Sequence, residues 1–406
     1  MTGRVFAALI GLICCAAADT ASEHAERGVE FAKAGDLVHA EAELRSAVEL
    51  APNDPSYLTS LGGILGMEQK LAEANVYFEK AVRLDPANGA ARRNLAANEW
   101  RLGQLKQAQA NLEHLLRTQP GDTVTMLLLG MVSENEHDYA RAAKLLEGVP
   151  ALVQQRPESV AALASAYYHT GRRDEAHRTL ESLLVRSAPP QGILAAAGVA
   201  VRAQDYVIAE KLLKSIRSSF STGRANGEIC DLLGAVEMKM DLFTDAVQSY
   251  GRAVELDPKS VDAAVGLASA KWAAGMRAQA EAQFQNLLKQ HPRDAAVYES
   301  YGTSLLSSAT DDATLDRAAA LLKKAVELDG SRAEAHYQLG MLELKKNGTD
   351  SMNEALKELQ ASVRLGLNGS KVHYALARVY RRLGRENEAT AEMHLYEQMQ
   401  GGAQGK

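Results

Sequence analysis

The sequence predicts an all-α chain built from stacked helical units, and three observations carry that prediction. Residues 71–86 read LAEANVYFEKAVRLDP and residues 242–258 read LFTDAVQSYGRAVELDP, so Ala, an aromatic, Ala, Leu, Asp and Pro recur in the same order far apart. Self-similarity of this kind marks an array of units and not one globular core. Aromatic residues are 5% and charged residues 24% of the chain, which favours many short helices packed through small side chains. Ten prolines fall mostly at intervals, where they act as stops between helices. Strands are not expected.

Aligned on small residues, the units follow one another with a period of about 34 residues. The first, 21–54, is marked by Gly28, Ala40, Leu44, Ala47 and Pro52, and the second by Leu58, Leu61, Gly62, Leu65, Ala74, Phe78, Ala81 and Pro86. Units at 89–122, 123 to about 155, 157–188 and 190–222 keep the same offsets, with Ala96 and Leu112, Gly130 and Leu146, Ala164 and Leu180, and Ala197 and Leu213. The seventh offers Cys230, Leu233, Gly234, Glu237, Ala246, Tyr250, Ala253 and Pro258, in which Glu237 stands where a large apolar side chain is called for. Four more units at 261–294, 295–332, 333–369 and 370–403 close the array. This pattern resembles the tetratricopeptide repeat, a helix-turn-helix unit whose bulky, small, aromatic and proline positions these residues match. The resemblance implies a right-handed α-solenoid superhelix of about eleven repeats, with the first helix of each unit on the concave side.

The spacing has physical reasons. A small residue at position 8 of the unit sits where the two helices cross, and Ala at position 20 is expected to face it, so that the axes approach to about 8 Å. Glycine at position 15 (Gly35, Gly103, Gly171, Gly275, Gly384) suits the left-handed turn that ends the first helix. Asp-Pro at positions 31 and 32 ends the second, because proline restricts the residue before it.

The N-terminal MTGRVFAALIGLICCAAADT has one basic residue, an apolar run from Val5 to Cys15 and the small stretch Ala16, Ala17, Ala18. That is the layout of a secretory signal peptide over 1–18, with export to the periplasm or outside the cell as its consequence. Acylation at Cys14 or Cys15 is the rival reading. With the signal removed, Cys230 is the one cysteine left, so stability has to come from packing. Two joints lack the Asp-Pro stop, at 147–159 and 218–230. The second is rich in Ser and Gly, and it divides the array into sub-arrays 19–222 and 223–406.

A formal net charge of −6 supplies no basic field for phosphates, so nucleic acid is not an expected partner. The ten histidines never recur as His-x-x-x-His, so no metal is expected, and no nucleotide loop or nucleophile elbow is found, so neither a cofactor nor an enzyme activity is expected. By the resemblance, ligands meet first-helix positions 2, 5, 6, 9, 12 and 13. By the same resemblance, Arg93, Asn94 and Arg101, with Trp100, match part of the family's carboxylate clamp, which the neighbouring units leave incomplete. The middle of the wall is apolar: Leu127, Leu128, Met131, Tyr168, Leu194, Leu232, Met238 and Trp272. Such a surface suits a protein or peptide partner. Lys371, Arg378, Arg381 and Arg382 make a basic patch in the last unit, suited to an acidic partner or polysaccharide. Met393, Leu395, Tyr396 and Met399 leave that end fit for self-association or for docking in a membrane-bound complex. The expected function is a scaffold holding an extended peptide or helix in a cell-envelope assembly. The alternative is a subunit for envelope polysaccharide assembly or transport that works with an outer-membrane protein.

Overall fold

In the computed structural model, residues 21–185, 188–346 and 348–404 are described, with side chains to 399. The expected signal peptide and Cys14 and Cys15 lie outside the described residues. Every regular element among the described residues is helical, and the chain divides into two compact units, Met1–Thr170 and Gly171–Lys406.

The first unit contains a helix over 21–33 (α1), then α2 (Leu37–Leu50), α3 (Pro55–Met67), α4 (Leu71–Leu84), α5 (Gly89–Arg101), α6 (Leu105–Thr118), α7 (Thr123–Asn135), α8 (Tyr139–Glu147), the short α9 (Pro150–Val153) and α10 (Pro157–His169). The second contains α11 (Arg173–Val185), α12 (Pro190–Arg202), α13 (Tyr206–Ile216), α14 (Gly223–Lys239), α15 (Phe243–Leu256), α16 (Val261–Ala273), α17 (Arg277–Gln290), α18 (Ala295–Ser308), α19 (Asp312–Leu328), α20 (Ala333–Lys345), α21 (Thr349–Arg364), α22 (Ser370–Arg382) and α23 (Glu386–Gln404). Within each unit, successive helices pair as hairpins, and each hairpin meets the first helix of the next mostly through its own second helix.

Local chemistry sets the boundaries. Asp54 caps α3 by accepting from the amides of Ser56 (2.8 Å) and Tyr57 (3.3 Å), and Pro55 occupies the first turn, where its missing N–H costs nothing. Asp85 and Asp257 end α4 and α15 in extended conformations (φ −132° and −134°), as their following prolines require. The five glycines at position 15 have φ between 71° and 81°, as the spacing predicts. The same left-handed position is held by Gln69, His137, Gln204 and Asp241 in other repeats, with φ between 57° and 66°. Side chains there carry a strain that glycine avoids.

The contact at position 8 differs from expectation in its partner. A Cβ added to Gly62 would lie 2.8 Å from the Phe78 ring, and one on Gly234 would lie 2.7 Å from the Tyr250 ring. The residue filling the helix crossing is therefore at position 24, not the alanine at position 20. That alanine contributes its backbone instead: the carbonyl oxygens of Ala40, Ala318 and Ala355 come within 3.2 Å of the places where Cβ atoms on Gly28, Gly302 and Gly340 would be. Tyr250 is gripped from both sides, since its ring also closes on Gly266 of the following hairpin.

The 218–230 joint lies inside the second compact unit. Its Ser and Gly content reads as a flexible linker, but Asn226 closes it into a pinned turn by accepting from the Phe220 amide (3.1 Å) and donating to the Phe220 carbonyl (2.8 Å). At 147–159 the short α9 fills the joint.

Two substitutions test this packing in opposite directions. Gly234→Val is expected to lower stability by about 1–3 kcal/mol through overpacking against Tyr250. Gln204→Gly is expected to raise it by about 0.5–1 kcal/mol, the left-handed strain relieved less the added freedom of the unfolded glycine. Chemical denaturation followed by circular dichroism reads both, and hydrogen exchange places the first loss at α14–α16.

Candidate functional site

The second unit carries a cleft of about 310 Å³ built almost entirely from first helices of successive repeats. Met238 of α14 and Trp272 of α16 form its apolar part, and Ser300, Thr303, Ser304 and Ser307 of α18 form a hydroxyl-bearing wall, with Glu299 and Glu334 at the edge. Counted from repeat starts at 227, 261, 295 and 333, Met238 and Trp272 fall on position 12 and Thr303 on 9. Ser307, Ser300, Glu299 and Glu334 fall on 13, 6, 5 and 2. These are the positions the resemblance assigns to ligand contact.

The cleft floor is held still. Trp272 is 6% exposed, donates its indole N–H to the Ser308 hydroxyl at 3.3 Å and meets Tyr301 edge-on. The Arg277 guanidinium lies over the indole, 4.7 Å from the ring centre. Tyr301 in turn stacks on Phe284 with ring centres 4.8 Å apart, so the cleft aromatics are continuous with the core. Arg332 donates to Glu299, which raises the pKa of that guanidinium and fixes the carboxylate at the rim. Thr303 Oγ1 is buried with no hydrogen-bond partner. An orphan hydroxyl beside an aromatic floor is what an incoming backbone amide or carbonyl satisfies.

Of the apolar residues expected in the groove, the structure brings Met238 and Trp272 together. Leu194 and Leu232 are half-buried in the same unit but do not line this cleft. In the first unit, Leu127 (3% exposed) and Met131 (8%) are packed inward, and the Ser159 hydroxyl meets the Met131 sulfur at 3.5 Å. Leu128 and Tyr168 are half-buried, and Trp100 packs with Leu128 against the core of α5–α7.

The clamp residues are engaged between hairpins. Arg93 pairs with Asp122 and donates to the Thr125 hydroxyl (3.3 Å). Arg101 donates to the Gly66 carbonyl (3.3 Å) and to Gln69. Asn94 is exposed. In the basic patch, Arg382 donates to the Leu344 carbonyl at 3.0 Å, Arg378 lies over the Tyr374 ring, and Lys371 and Arg381 are exposed. On α23, Leu395 and Met399 are 40% and 37% exposed, while Met393 and Tyr396 are half-buried.

The hydroxyl wall escaped the sequence reading, although the same position rule carried into the ninth repeat selects Ser300, Thr303 and Ser307. Their small polar side chains gave no apolar signal of their own.

Comparison with known proteins adds sequence matches. The tetratricopeptide repeat family matches residues 67–128, 135–197 and 238–301. A relative from Xanthomonas axonopodis pv. citri (strain 306), cellulose synthase operon protein C, is 27% identical over 185 residues, covering 42% of this chain and 12% of that protein. Yeast Tom70 superposes with a TM-score of 0.47 at 15% identity, over 93% of this chain and 92% of that one. A thermophilic repeat protein of Thermus thermophilus superposes with a TM-score of 0.37 at 22% identity, over 43% and 91%.

Arg277→Ala, in a Trp100→Phe background that leaves Trp272 as the one indole, is expected to increase quenching of Trp272 fluorescence by acrylamide. The accompanying loss of stability should be about 0.5–1 kcal/mol, the scale of an exposed cation–π contact.

Proposed function

We propose that this chain, which the tetratricopeptide repeat family matches over 67–128, 135–197 and 238–301, is a non-enzymatic scaffold that holds an extended peptide or helix of a partner protein. The observation that carries this reading is the cleft of the second unit, whose lining falls on the first-helix positions that packing leaves over. An apolar anchor of the partner seats against Met238 and Trp272. Its backbone then meets the hydroxyls of Ser300, Thr303 and Ser307, in the arrangement of an apolar pocket with a few placed polar groups.

The secretory pattern of residues 1–18 supports placing the scaffold in a cell-envelope assembly, on the far side of the inner membrane. No helix among the described residues is long and apolar enough to cross a membrane.

A second reading has an observation of its own. The relative named cellulose synthase operon protein C aligns over 42% of this chain, which favours a part in making or moving an envelope polysaccharide. The match spans only 12% of that protein. In this reading Lys371 and Arg381, exposed on α22, meet an acidic polymer or a partner that handles it.

Affinity capture from native envelope extract separates the two. A protein retained by the native chain should bind at least about tenfold more weakly to Ser300→Arg, a loss of roughly 1.4 kcal/mol or more, while both chains keep the same helical content. Retention by Ser300→Arg with loss by Leu128→Glu plus Tyr168→Glu would move the site to the first unit. Capture of polysaccharide alone, abolished by Lys371→Glu with Arg381→Glu, would favour the second reading.

A further inference from the structure

At position 11 of the seventh repeat the pattern calls for a large apolar side chain, and the sequence supplies Glu237 instead. The fold does not eject it. Glu237 on α14 is 1% exposed, and its Oε2 has no hydrogen-bond partner. The other carboxylate oxygen is 3.7 Å from Lys214 Nζ, and the Ser249 hydroxyl favours the charged form in part. Burial still pushes the carboxyl above its usual range. A buried carboxylate oxygen without a partner is costly unless something arrives to satisfy it.

Two more carboxylates converge on the same point. Glu210 comes from α13, Asp245 from the first turn of α15, and one oxygen from each of the three residues lies within 4.8 Å of the others. Lys214 donates to Glu210 at 2.7 Å, so an ammonium group already stands at the edge of the cluster. Beside it opens a cavity of about 470 Å³ that Glu237, Asp245 and Lys214 line together with Cys230, Arg217 and Arg252. Arg252 is seven residues beyond Asp245 on α15, roughly 10 Å along the helix.

We propose that Glu210, Glu237 and Asp245 bind a hard divalent cation of calcium size, which ties the second helix of one hairpin to both helices of the next. The donors are all carboxylate oxygens, the set that hard cations take and softer metals do not select. Oxygens up to 4.8 Å apart can share an ion that holds its ligands at about 2.3–2.6 Å. Magnesium, at about 2.0–2.1 Å, demands a tighter octahedron. Three carboxylates and Lys214 leave two negative charges, which a divalent ion balances. The site braces α13, α14 and α15 at the joint that lacks the Asp-Pro stop, and it stands independently of the peptide cleft.

The test uses the full chain freed of metal by chelation, titrated with Ca²⁺ by calorimetry and with Tb³⁺ by luminescence. One saturable Ca²⁺ site is expected, stronger than Mg²⁺ binding and accompanied by a higher unfolding temperature. Glu237→Gln, which keeps the shape of the side chain, should weaken binding by about tenfold or more, the scale of loss for a group supporting a metal site. Asp245→Asn on the other helix repeats the test should Glu237→Gln disturb folding. Lys214→Gln should tighten binding, because it removes the ammonium that competes for the carboxylates. No saturable Ca²⁺ binding up to about 10 mM, beyond even weak extracellular calcium modules, would overturn the proposal. So would binding left unchanged by both carboxylate substitutions.

Discussion

The structure depends on one close approach repeated along the chain: the backbone of the first helix of a hairpin lies against the side chain at position 24 of the second. Gly62 under Phe78 and Gly234 under Tyr250 show it against aromatic rings, with no room for a Cβ to be added without displacement. Where alanine takes the position, as at Ala96 and Ala268, it is fully buried, and so are the facing Leu112 and Phe284. Helices held this close bury most of their apolar stripe within the hairpin, and the next hairpin covers what is left. Tyr250, pressed between Gly234 and Gly266, shows the two contacts made by a single ring.

From that constraint follows the division of labour along each first helix. Packing takes positions 4, 7, 8 and 11, and the helical period then turns positions 2, 5, 6, 9, 12 and 13 toward the other side. Residues there are freer of the core, although Trp272 still packs into it. In the second unit they become Met238, Ser300, Thr303, Ser307 and Glu334, which together make a cleft with an aromatic floor and a hydroxyl wall. Glu237 breaks the division from the other direction, a carboxylate placed on the packing side and buried there.

The repeat boundaries, the left-handed glycines and the Asp-Pro stops were legible in the sequence because each depends on a few residues at fixed spacing. The partner of position 8 was not, because spacing gives the face a residue occupies but not which side chain reaches it. Asn226 was hidden for a similar reason: its hydrogen bonds to Phe220 turn a linker composition into a closed turn. The sequence set Arg93 and Arg101 on the ligand-facing positions, yet both reach sideways to the adjacent hairpin, since a long side chain at a helix edge finds a carboxylate or carbonyl one repeat away. Leu127 and Met131 show the same limit, a groove position covered by neighbouring helices.

In the proposed scaffold the cleft of the second unit, and not the outer surface of the same repeats, receives the partner. A photoreactive benzoylphenylalanine at Ser300, compared with one at the exposed Lys289 of α17, tests it directly in native envelope extract. A discrete cross-linked partner is expected from Ser300 and none from Lys289. Equal yields from both positions, or adducts from Lys289 alone, would contradict the claim.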